Sequence, residues 1–212
     1  MLTFDLKQSL PTPKISTNVV FYKRQMWTYN FGVHDCSTDK GYMYMWPEST
    51  ASRGSKEITS CLNKHLQRSS SATELTVFSD ACGGQNRNIN VALYWMHVVC
   101  SPNYSYTTVN HKFMVSGHSY LPNDWDFGSI ETANRKRQNI YVPEEWFDLV
   151  ETCRRKNPFT VIRMDTTDFV STSILRTHIV YRKTNTAKEK VEWLKIRWMQ
   201  YNKDMPYQVR YR

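Results

Sequence analysis

The chain has 212 residues, of which 40% are hydrophobic and 14% aromatic, and its formal net charge is +9. This wealth of packing residues, with only 7 Gly and 8 Pro, excludes a disordered or fibrous chain and predicts a globular protein with a sizeable core. The longest apolar run, Val91 to Cys100, is interrupted by His97, so no segment is expected to span a membrane, and no secretory leader is expected.

Positive charge is concentrated in the C-terminal part of the chain. Residues 1–131 hold 11 Lys and Arg against 10 Asp and Glu, whereas residues 132–212 hold 17 against 9, so their net charges are +1 and +8. Because a polyanion releases counterions when such a segment binds it, nucleic acid is the expected partner; a solvated basic face without a partner is the alternative.

Five cysteines without a CxxC pair favour a reducing compartment, nuclear or otherwise intracellular.

The N-terminal part predicts an antiparallel meander of three strands. Residues 1–5 form a short apolar run that ends in the carboxylate of Asp5, and residues 21–33 alternate loosely between aromatic and polar side chains. Residues 40–46 alternate more strictly and predict the third strand. The prolines within residues 10–13 predict a loop between the first two strands.

The middle of the chain alternates between helical and strand patterns. Residues 55–68 carry an apolar stripe spaced three and four apart, which predicts an amphipathic helix. Residues 75–79 predict a fourth strand that ends at Asp80, residues 88–100 a buried helix, and residues 109–115 a fifth strand.

The remaining segments predict two helices and then a small α/β appendage. Pro122 opens the first helix, since Pro favours a first turn, and residues 143–156 have the apolar spacing of the second. Two strands are expected after it, the clearer at residues 193–198. The predicted order of the α/β fold is therefore β-β-β-α-β-α-β-α, followed by a basic appendage.

Three carboxylates fall at strand or helix ends in this order: Asp5 in the first strand, Asp80 after the fourth, and Asp124 at the start of the helix after the fifth. A cluster of like charges is costly unless a cation compensates it. Carboxylate oxygens are the ligands that Mg²⁺ and Mn²⁺ prefer, and two such ions about 4 Å apart promote phosphodiester cleavage. A turn or capping role for each Asp is the alternative.

Two segments, residues 78–88 and 117–131, carry a resemblance to a known family. They read Phe-Ser-Asp-Ala-Cys-Gly-Gly-Gln-Asn-Arg-Asn and Gly-His-Ser through Asp-Trp-Asp-Phe-Gly-Ser-Ile-Glu. They resemble an uncharacterised domain family of eukaryotic, mostly transposon-derived proteins with the patterns D-x-C-x-G-Q-N-K-N and G-H-[ST]-x4-D-x2-F-x2-I. Residues 4–6 and 29–32 are also similar, so that the resemblance extends over residues 4–200.

The element order also resembles the ribonuclease-H-like mixed sheet of transposases, retroviral integrases and Holliday-junction resolvases. This resemblance implies a catalytic core, which we expect at residues 1–137. The charge distribution and the change of pattern after Lys136 predict a basic extension at residues 138–212 packed on it. The resemblance implies Asp5, Asp80 and Asp124 as the catalytic, metal-binding triad.

Two other acids compete with Asp124 for the third place. Glu131 shares its helix face, whereas Asp126 lies about 200° around the axis. Asp124 is preferred because the family pattern falls on it. His118 is either a proton-transfer group beside the metals or a packing histidine. Arg87 stands where the family often has Lys.

The expected nucleic-acid contacts come from the Gly-rich turn and from two basic clusters. These residues are Gln85, Asn86, Arg87, Arg135, Lys136, Arg137, Arg154, Arg155 and Lys156. The alternatives are a tight turn for the first three and helix-dipole interactions for the clusters.

The implied function is metal-dependent cleavage or strand transfer on DNA by a transposase- or integrase-like enzyme with Mg²⁺ or Mn²⁺. A domesticated, catalytically silent nucleic-acid-binding domain is the alternative. A third hypothesis makes Cys82 a nucleophile with His118 as base and Asp124 as its orienter. RNA is the alternative substrate, and a homodimer is an alternative to a single chain. No membrane partner is expected. A segment upstream of residue 1 is expected.

Overall fold

The computed structural model of the chain describes residues 1–7, 9–16, 24–68, 71–115, 120–179 and 183–212. Its contacts divide the chain into two compact units. Unit 1 contains Met1–Arg53 and Tyr120–Thr166, and unit 2 contains Gly54–Ser119 and Thr167–Arg212. Each unit therefore combines one segment from each half of the chain. The expected boundary at residue 137 falls inside unit 1 and stays a prediction.

The described residues form a mixed α/β protein with nine strands and five α-helices. The strands are β1 (Leu2–Leu6), β2 (Leu10–Thr12), β3 (Met26–Asp35), β4 (Lys40–Pro47), β5 (Glu74–Ser79), β6 (Thr108–Phe113), β7 (Thr160–Arg163), β8 (Trp198–Asn202) and β9 (Val209–Tyr211). The helices are α1 (Ser55–Leu66), α2 (Ile89–Cys100), α3 (Pro122–Lys136), α4 (Glu144–Thr152) and α5 (Ser173–His178). None of these helices is long and apolar enough to cross a bilayer.

Unit 1 is a mixed sheet packed against α3 and α4. Strands β1, β3 and β4 form the predicted antiparallel meander, β7 pairs parallel with β4, and β2 pairs with β3. The core between sheet and helices includes Met43 and Met45 from β4, Ile130 from α3 and Trp146 from α4. The alternating Met side chains that predicted the third strand are thus the contacts that hold the helices on the sheet.

Unit 2 is built around a parallel strand pair. Strands β5 and β6 pair in parallel register and are connected through α2, whereas β8 pairs antiparallel with β6 and β9 antiparallel with β8. Helix α2 is apolar over most of its circumference and is buried from Val91 to Met96. Such a helix cannot face water on several sides, which explains why it contacts α1, β6 and β8.

Most predicted elements are confirmed, and three differ. The predicted loop at residues 10–13 contains the short strand β2, and β3 begins at Met26, with residues 17–23 outside the described chain. The strand predicted at residues 193–198 is wrong: Trp193–Lys195 is a 3₁₀ turn, and β8 begins at Trp198. The reason is register, because the ladder with β6 starts at the Lys112–Trp198 pair and covers residues 198–202.

Candidate active site

Asp5 lies on the face of β1 that α3 covers. Side chains alternate along a strand, so Asp5 shares its face with Thr3 and, just past the strand end, with Lys7. Thr3 Oγ1 donates to Asn123 Oδ1 on α3 (2.6 Å), and Lys7 Nζ donates to the carbonyl oxygen of Phe127 (2.9 Å). Because the residues on both sides of Asp5 reach α3, the half-buried Asp5 lies beneath the first turns of that helix.

Helix α3 sits close to the sheet because of a glycine. Gly32 pairs with Asp5 across the β1–β3 ladder. A Cβ atom at Gly32 would lie 2.9 Å from two ring carbons of Phe127 and 3.2 Å from Asn123 Nδ2. The fully buried Asn123 also donates from Nδ2 to the carbonyl oxygen of Gly32 (3.0 Å). The residue opposite Asp5 therefore brings the start of α3 onto the strand.

Two of the three candidates for the third acid, Asp124 and Glu131, are exposed on α3. Asp124 Oδ2 accepts from the Leu121 backbone N–H (2.8 Å), which satisfies one of the unpaired donors at the helix start. Glu131 is close enough to Lys7 to act on it electrostatically: burial lowers the pKa of Lys7, and the Glu131 carboxylate partly offsets that shift. Unit 1 thus brings together the elements that carry Asp5 and both candidates.

The remaining candidate, Asp126, is the anion of a buried ion-pair cluster. Its side chain is 3% exposed; Oδ2 accepts from His34 Nδ1 (2.8 Å) and Oδ1 from Arg154 NH1 (2.7 Å). The hydrogen bond to Asp126 raises the pKa of His34. Both carboxylate oxygens therefore have protein partners, which favours a structural role for Asp126 and for Arg154, one of the expected nucleic-acid contacts.

The first motif forms a tight loop that holds Asp80. Asp80 follows β5 directly, and its Oδ1 accepts from the Cys82 backbone N–H (3.2 Å) and from Asn86 Nδ2. The carbonyl oxygen of Cys82 accepts from the backbone N–H groups of Asn86 (2.8 Å) and Arg87 (3.0 Å). Asn88 then caps α2 through its Oδ1. The spacing of the motif is thus that of a strand-to-helix turn folded around Asp80.

A buried hydrogen-bond chain supports the backbone at Asp80. Trp95 Nε1 donates to His111 Nδ1 (3.2 Å), His111 Nε2 pairs with Ser79 Oγ (2.9 Å), and Ser79 Oγ donates to the carbonyl oxygen of Asp80 (2.9 Å). An indole N–H only donates, so the neutral His111 tautomer with its proton on Nε2 satisfies every bond. Burial lowers the pKa of His111 to about 3. Sequence reasoning missed this chain, because His111 lies in an ordinary strand pattern.

The other residues of the loop have partners within unit 2. Arg87 is 9% exposed; its NH1 donates to the carbonyl oxygen of Ile196 (3.2 Å), and its guanidinium lies 5.9 Å from the ring centroid of Phe113. Asn86 is 1% exposed, and Gln85 is half-buried. The phosphate contacts expected of these three residues stay predictions.

One buried oxygen beside Asp80 fits a metal. Asn86 Oδ1 has no hydrogen-bond partner among the described residues, although Nδ2 of the same side chain contacts Asp80. Hard divalent ions accept amide as well as carboxylate oxygens. In the described part of the chain, no three His, Cys, Asp or Glu side chains cluster as metal ligands. Because Asp5 and Asp124 belong to unit 1 and Asp80 to unit 2, the triad stays a prediction.

The basic clusters are largely at the surface of unit 1. Arg135 and Lys136 are exposed at the end of α3, where Lys14 Nζ also contacts the carbonyl oxygens of Asn134 (2.6 Å) and Arg137 (2.8 Å). Arg155 and Lys156 are exposed after α4, and Arg137 is 3.4 Å from Glu145. Surface pairs at such distances are weak, so Glu145 holds Arg137 only loosely. The nucleic-acid contacts expected of these two clusters stay predictions.

His118 lies outside the described residues, so its assisting role and its role as base for Cys82 both stay predictions. Cys82 itself is half-buried, and its backbone N–H donates to Asp80.

The chain matches no family model, no curated protein and no solved structure. The resemblance to transposon-derived domains therefore rests on the two motifs quoted above.

Proposed function

We propose that the chain is a metal-dependent nuclease or strand-transfer domain that acts on DNA phosphodiesters. The observation that carries this proposal is the position of each acid within its unit. Asp5 lies on β1 beneath α3, Asp124 lies in the first turn of α3, and Asp80 ends the first strand of a parallel pair. These are the elements on which the ribonuclease-H-like resemblance requires its acids.

The pairing within each unit supports the same proposal. Unit 1 contains the antiparallel meander of the first three long strands, and unit 2 contains the fourth and fifth as a parallel pair connected through a helix. The resemblance implies a mixed sheet with these elements in this order. The strand-to-helix turn around Asp80 adds a side chain held by two donors, a rigid position such as catalysis requires.

In this proposal, the carboxylates of Asp5, Asp80 and Asp124 would hold Mg²⁺ or Mn²⁺, with Asn86 Oδ1 as a further oxygen beside Asp80. Bound divalent ions supply activation of a water or hydroxyl nucleophile and charge stabilisation at the leaving oxygen. Cys82 N–H and Asn86 Nδ2 orient the Asp80 carboxylate, and the Trp95–His111–Ser79 chain fixes the backbone that carries it. Lys136 and its neighbours would attract the phosphate backbone.

The first prediction concerns nicking of supercoiled plasmid by the full chain in Mn²⁺. We expect Asp80→Asn to lower the nicking rate at least about 100-fold, because changing groups that merely support metal ligands already costs about 10- to 100-fold. Asn keeps an oxygen that can accept from Cys82 N–H. Asp5→Asn and Asp124→Asn should behave alike, whereas the exposed Asp204→Asn is the matched control.

Two results would contradict this function: nicking that persists in a chelator, or nicking that Asp80→Asn leaves intact. Comparison of Asp124→Asn with Glu131→Gln identifies the third acid, since only the ligand substitution removes an oxygen from the site. Differential scanning fluorimetry of every variant confirms that the fold is retained.

The catalytically silent binding domain is the second candidate. The exposed cluster at the end of α3 favours it, because phosphate binding needs only charge and no metal. Tight DNA binding by the wild type without nicking in either Mg²⁺ or Mn²⁺ would establish this candidate in place of the first.

A further inference from the structure

A groove of about 930 Å³ runs between α3 and α4 in unit 1. Asp124 and Trp125 line it near the start of α3, and Lys136 and Arg137 line it near the end of that helix. Asp124 and Lys136 are 12 positions apart, and a rise of 1.5 Å per residue makes the groove about 18 Å long. It is therefore a long, shallow channel with a carboxylate at one end and cations at the other.

Trp125 is far more exposed than any other tryptophan in the described part of the chain. Its side chain is 82% exposed, and the neighbouring Tyr120 is 87% exposed, whereas Trp46, Trp95 and Trp146 are fully buried. Exposed aromatic rings beside a groove offer flat apolar surfaces of the kind on which nucleobases stack. The core packing that explains the buried tryptophans does not explain Trp125.

The charges of the groove suit a phosphate backbone. Lys136 is exposed and has no ion pair among the described residues, and the guanidinium of Arg137 pairs with Glu145 at 3.4 Å. Arg154 also lines the groove, but its NH1 is held by Asp126. The available cations are thus at the end of α3, while the only acid lining this groove in the described chain is Asp124.

The close packing of α3 and α4 favours a single strand as the ligand of the groove. Helices α3 and α4 pack directly on each other, and the axes of packed helices lie about 8–10 Å apart. A channel between helices this close suits one strand with its bases turned to the wall better than it suits a duplex. We propose that this groove binds a single strand of nucleic acid, with a base stacked on Trp125 and phosphates on Lys136 and Arg137.

One part of this inference rests on the proposed function: the bound strand would lead to Asp124, the candidate metal ligand. Binding itself needs no metal. The test is therefore fluorescence anisotropy of a labelled oligo(dT) with the full chain in EDTA, beside a duplex of equal length and an oligo(U). Trp125→Ala is compared with Trp27→Ala, a matched control because Trp27 is an exposed tryptophan outside the groove.

We expect Trp125→Ala to weaken oligo(dT) binding about 5- to 150-fold, the range that loss of one stacked base corresponds to. Trp27→Ala should leave binding unchanged, and Trp125→Phe should restore most of it. Lys136→Gln should lower the slope of log affinity against log salt by about 0.7, with Lys40→Gln, another exposed lysine, as its control. If oligo(U) binds more tightly than oligo(dT), and its binding also depends on Trp125, the single strand that the groove binds is RNA.

Equal binding by Trp125→Ala and Trp27→Ala, or equal loss for single strand and duplex, would overturn the inference. Because the assay contains no metal, its outcome is separate from nicking. If the wild-type protein binds single strands through Trp125 but never nicks DNA, the binding groove is supported and the proposed function is refuted. If nicking depends on Asp80 but Trp125→Ala does not change strand binding, the proposed function is supported and the binding groove is refuted.

Discussion

Individual side chains in both units owe their charge state to burial and to partners far along the chain. His34 and Asp126 are 92 residues apart and share a 2.8 Å hydrogen bond that raises the pKa of the imidazole. His111 is the opposite case: burial lowers its pKa to about 3, and a neutral ring accepts from Trp95 and donates to Ser79. The first histidine is stabilised with its proton, and the second without it.

His111 predicts a loss of stability in acid. The unfolded histidine binds its second proton near pH 6.5, whereas the folded one does not until about pH 3. Between these values the unfolded state holds more protons, so the free energy of unfolding falls as the pH falls. We expect the slope of that free energy against pH to be smaller in His111→Gln by up to about 1.4 kcal/mol per pH unit.

Urea denaturation from about pH 6.5 to about pH 4 measures this slope, and a slope is insensitive to any constant packing loss in the variant. His97→Gln, at an exposed histidine of α2, is the control and should retain the wild-type slope. Identical slopes for all three proteins would contradict a neutral, buried His111.

At the scale of elements, contacts at a few positions decide how helices meet strands. Helix α3 rests on β3 through Gly32, at the point where β3 pairs with Asp5 of β1. Helix α2 begins at Asn88, whose Oδ1 accepts from the backbone N–H groups of Asn90 (3.0 Å) and Val91 (3.2 Å). The first contact fixes the distance of α3 from Asp5, and the second fixes the length of the loop that holds Asp80.

Gly32→Ala should destabilise unit 1 by about 1–3 kcal/mol, because its Cβ would lie 2.9 Å from the Phe127 ring and would push α3 outward. Gly128→Ala is the matched control on α3 itself. A Cβ there meets nothing within 4 Å, and Ala favours a helix over Gly, so we expect stability to rise by about 0.5–1 kcal/mol. Urea unfolding of both variants measures the two effects, which have opposite signs.

The same pair of variants connects packing with activity. If α3 positions its acid over β1, Gly32→Ala should lower nicking even at temperatures where the variant remains folded. Gly128→Ala leaves the contact of α3 with β3 unchanged, so it should lower nicking far less than Gly32→Ala. If the Gly32→Ala protein is folded and nicks at the wild-type rate, the contact of α3 with β3 does not contribute to the candidate site.

At the scale of the whole molecule, the net charge of +9 is unevenly spread. The cluster of Arg135, Lys136 and Arg137 ends α3 in unit 1, whereas Lys183, Lys190 and Lys203 are exposed along unit 2. Neutralising either set removes the same formal charge. The two sets therefore separate local phosphate contacts from a general attraction of a basic protein for a polyanion.

We expect the triple substitution Arg135→Gln, Lys136→Gln and Arg137→Gln to lower the salt dependence of oligo(dT) binding by about 2 in log–log slope. The matched triple substitution at Lys183, Lys190 and Lys203 should change it by much less. Anisotropy titrations at several salt concentrations provide both slopes. Equal changes in the two variants would assign binding to net charge alone.

Local patterns were sufficient for most elements of the fold and for the antiparallel meander, but not for the side-chain partners that lie far along the chain. Alternating Met and aromatic residues predicted β4, and the apolar stripe of residues 55–68 predicted α1, because both patterns depend on neighbours two to four residues away. The pattern at residues 193–198 misled, since pairing with β6 selected Trp198–Asn202 instead. The motif predicted a turn at Asp80 but not the two donors that orient its carboxylate.

The amino-acid sequence by itself determined the α/β class, the order of the main elements, the excess of positive charge and the motifs from which a phosphodiester-cleaving site is inferred. Tertiary structure alone decided that Asp126 is bound by His34 and Arg154, that His111 stays neutral behind Asp80, and that an exposed Trp125 faces a basic groove. The physical reason is range. Periodicity and charge are properties of nearby residues, whereas burial and ion pairing depend on chain segments that only folding brings into contact.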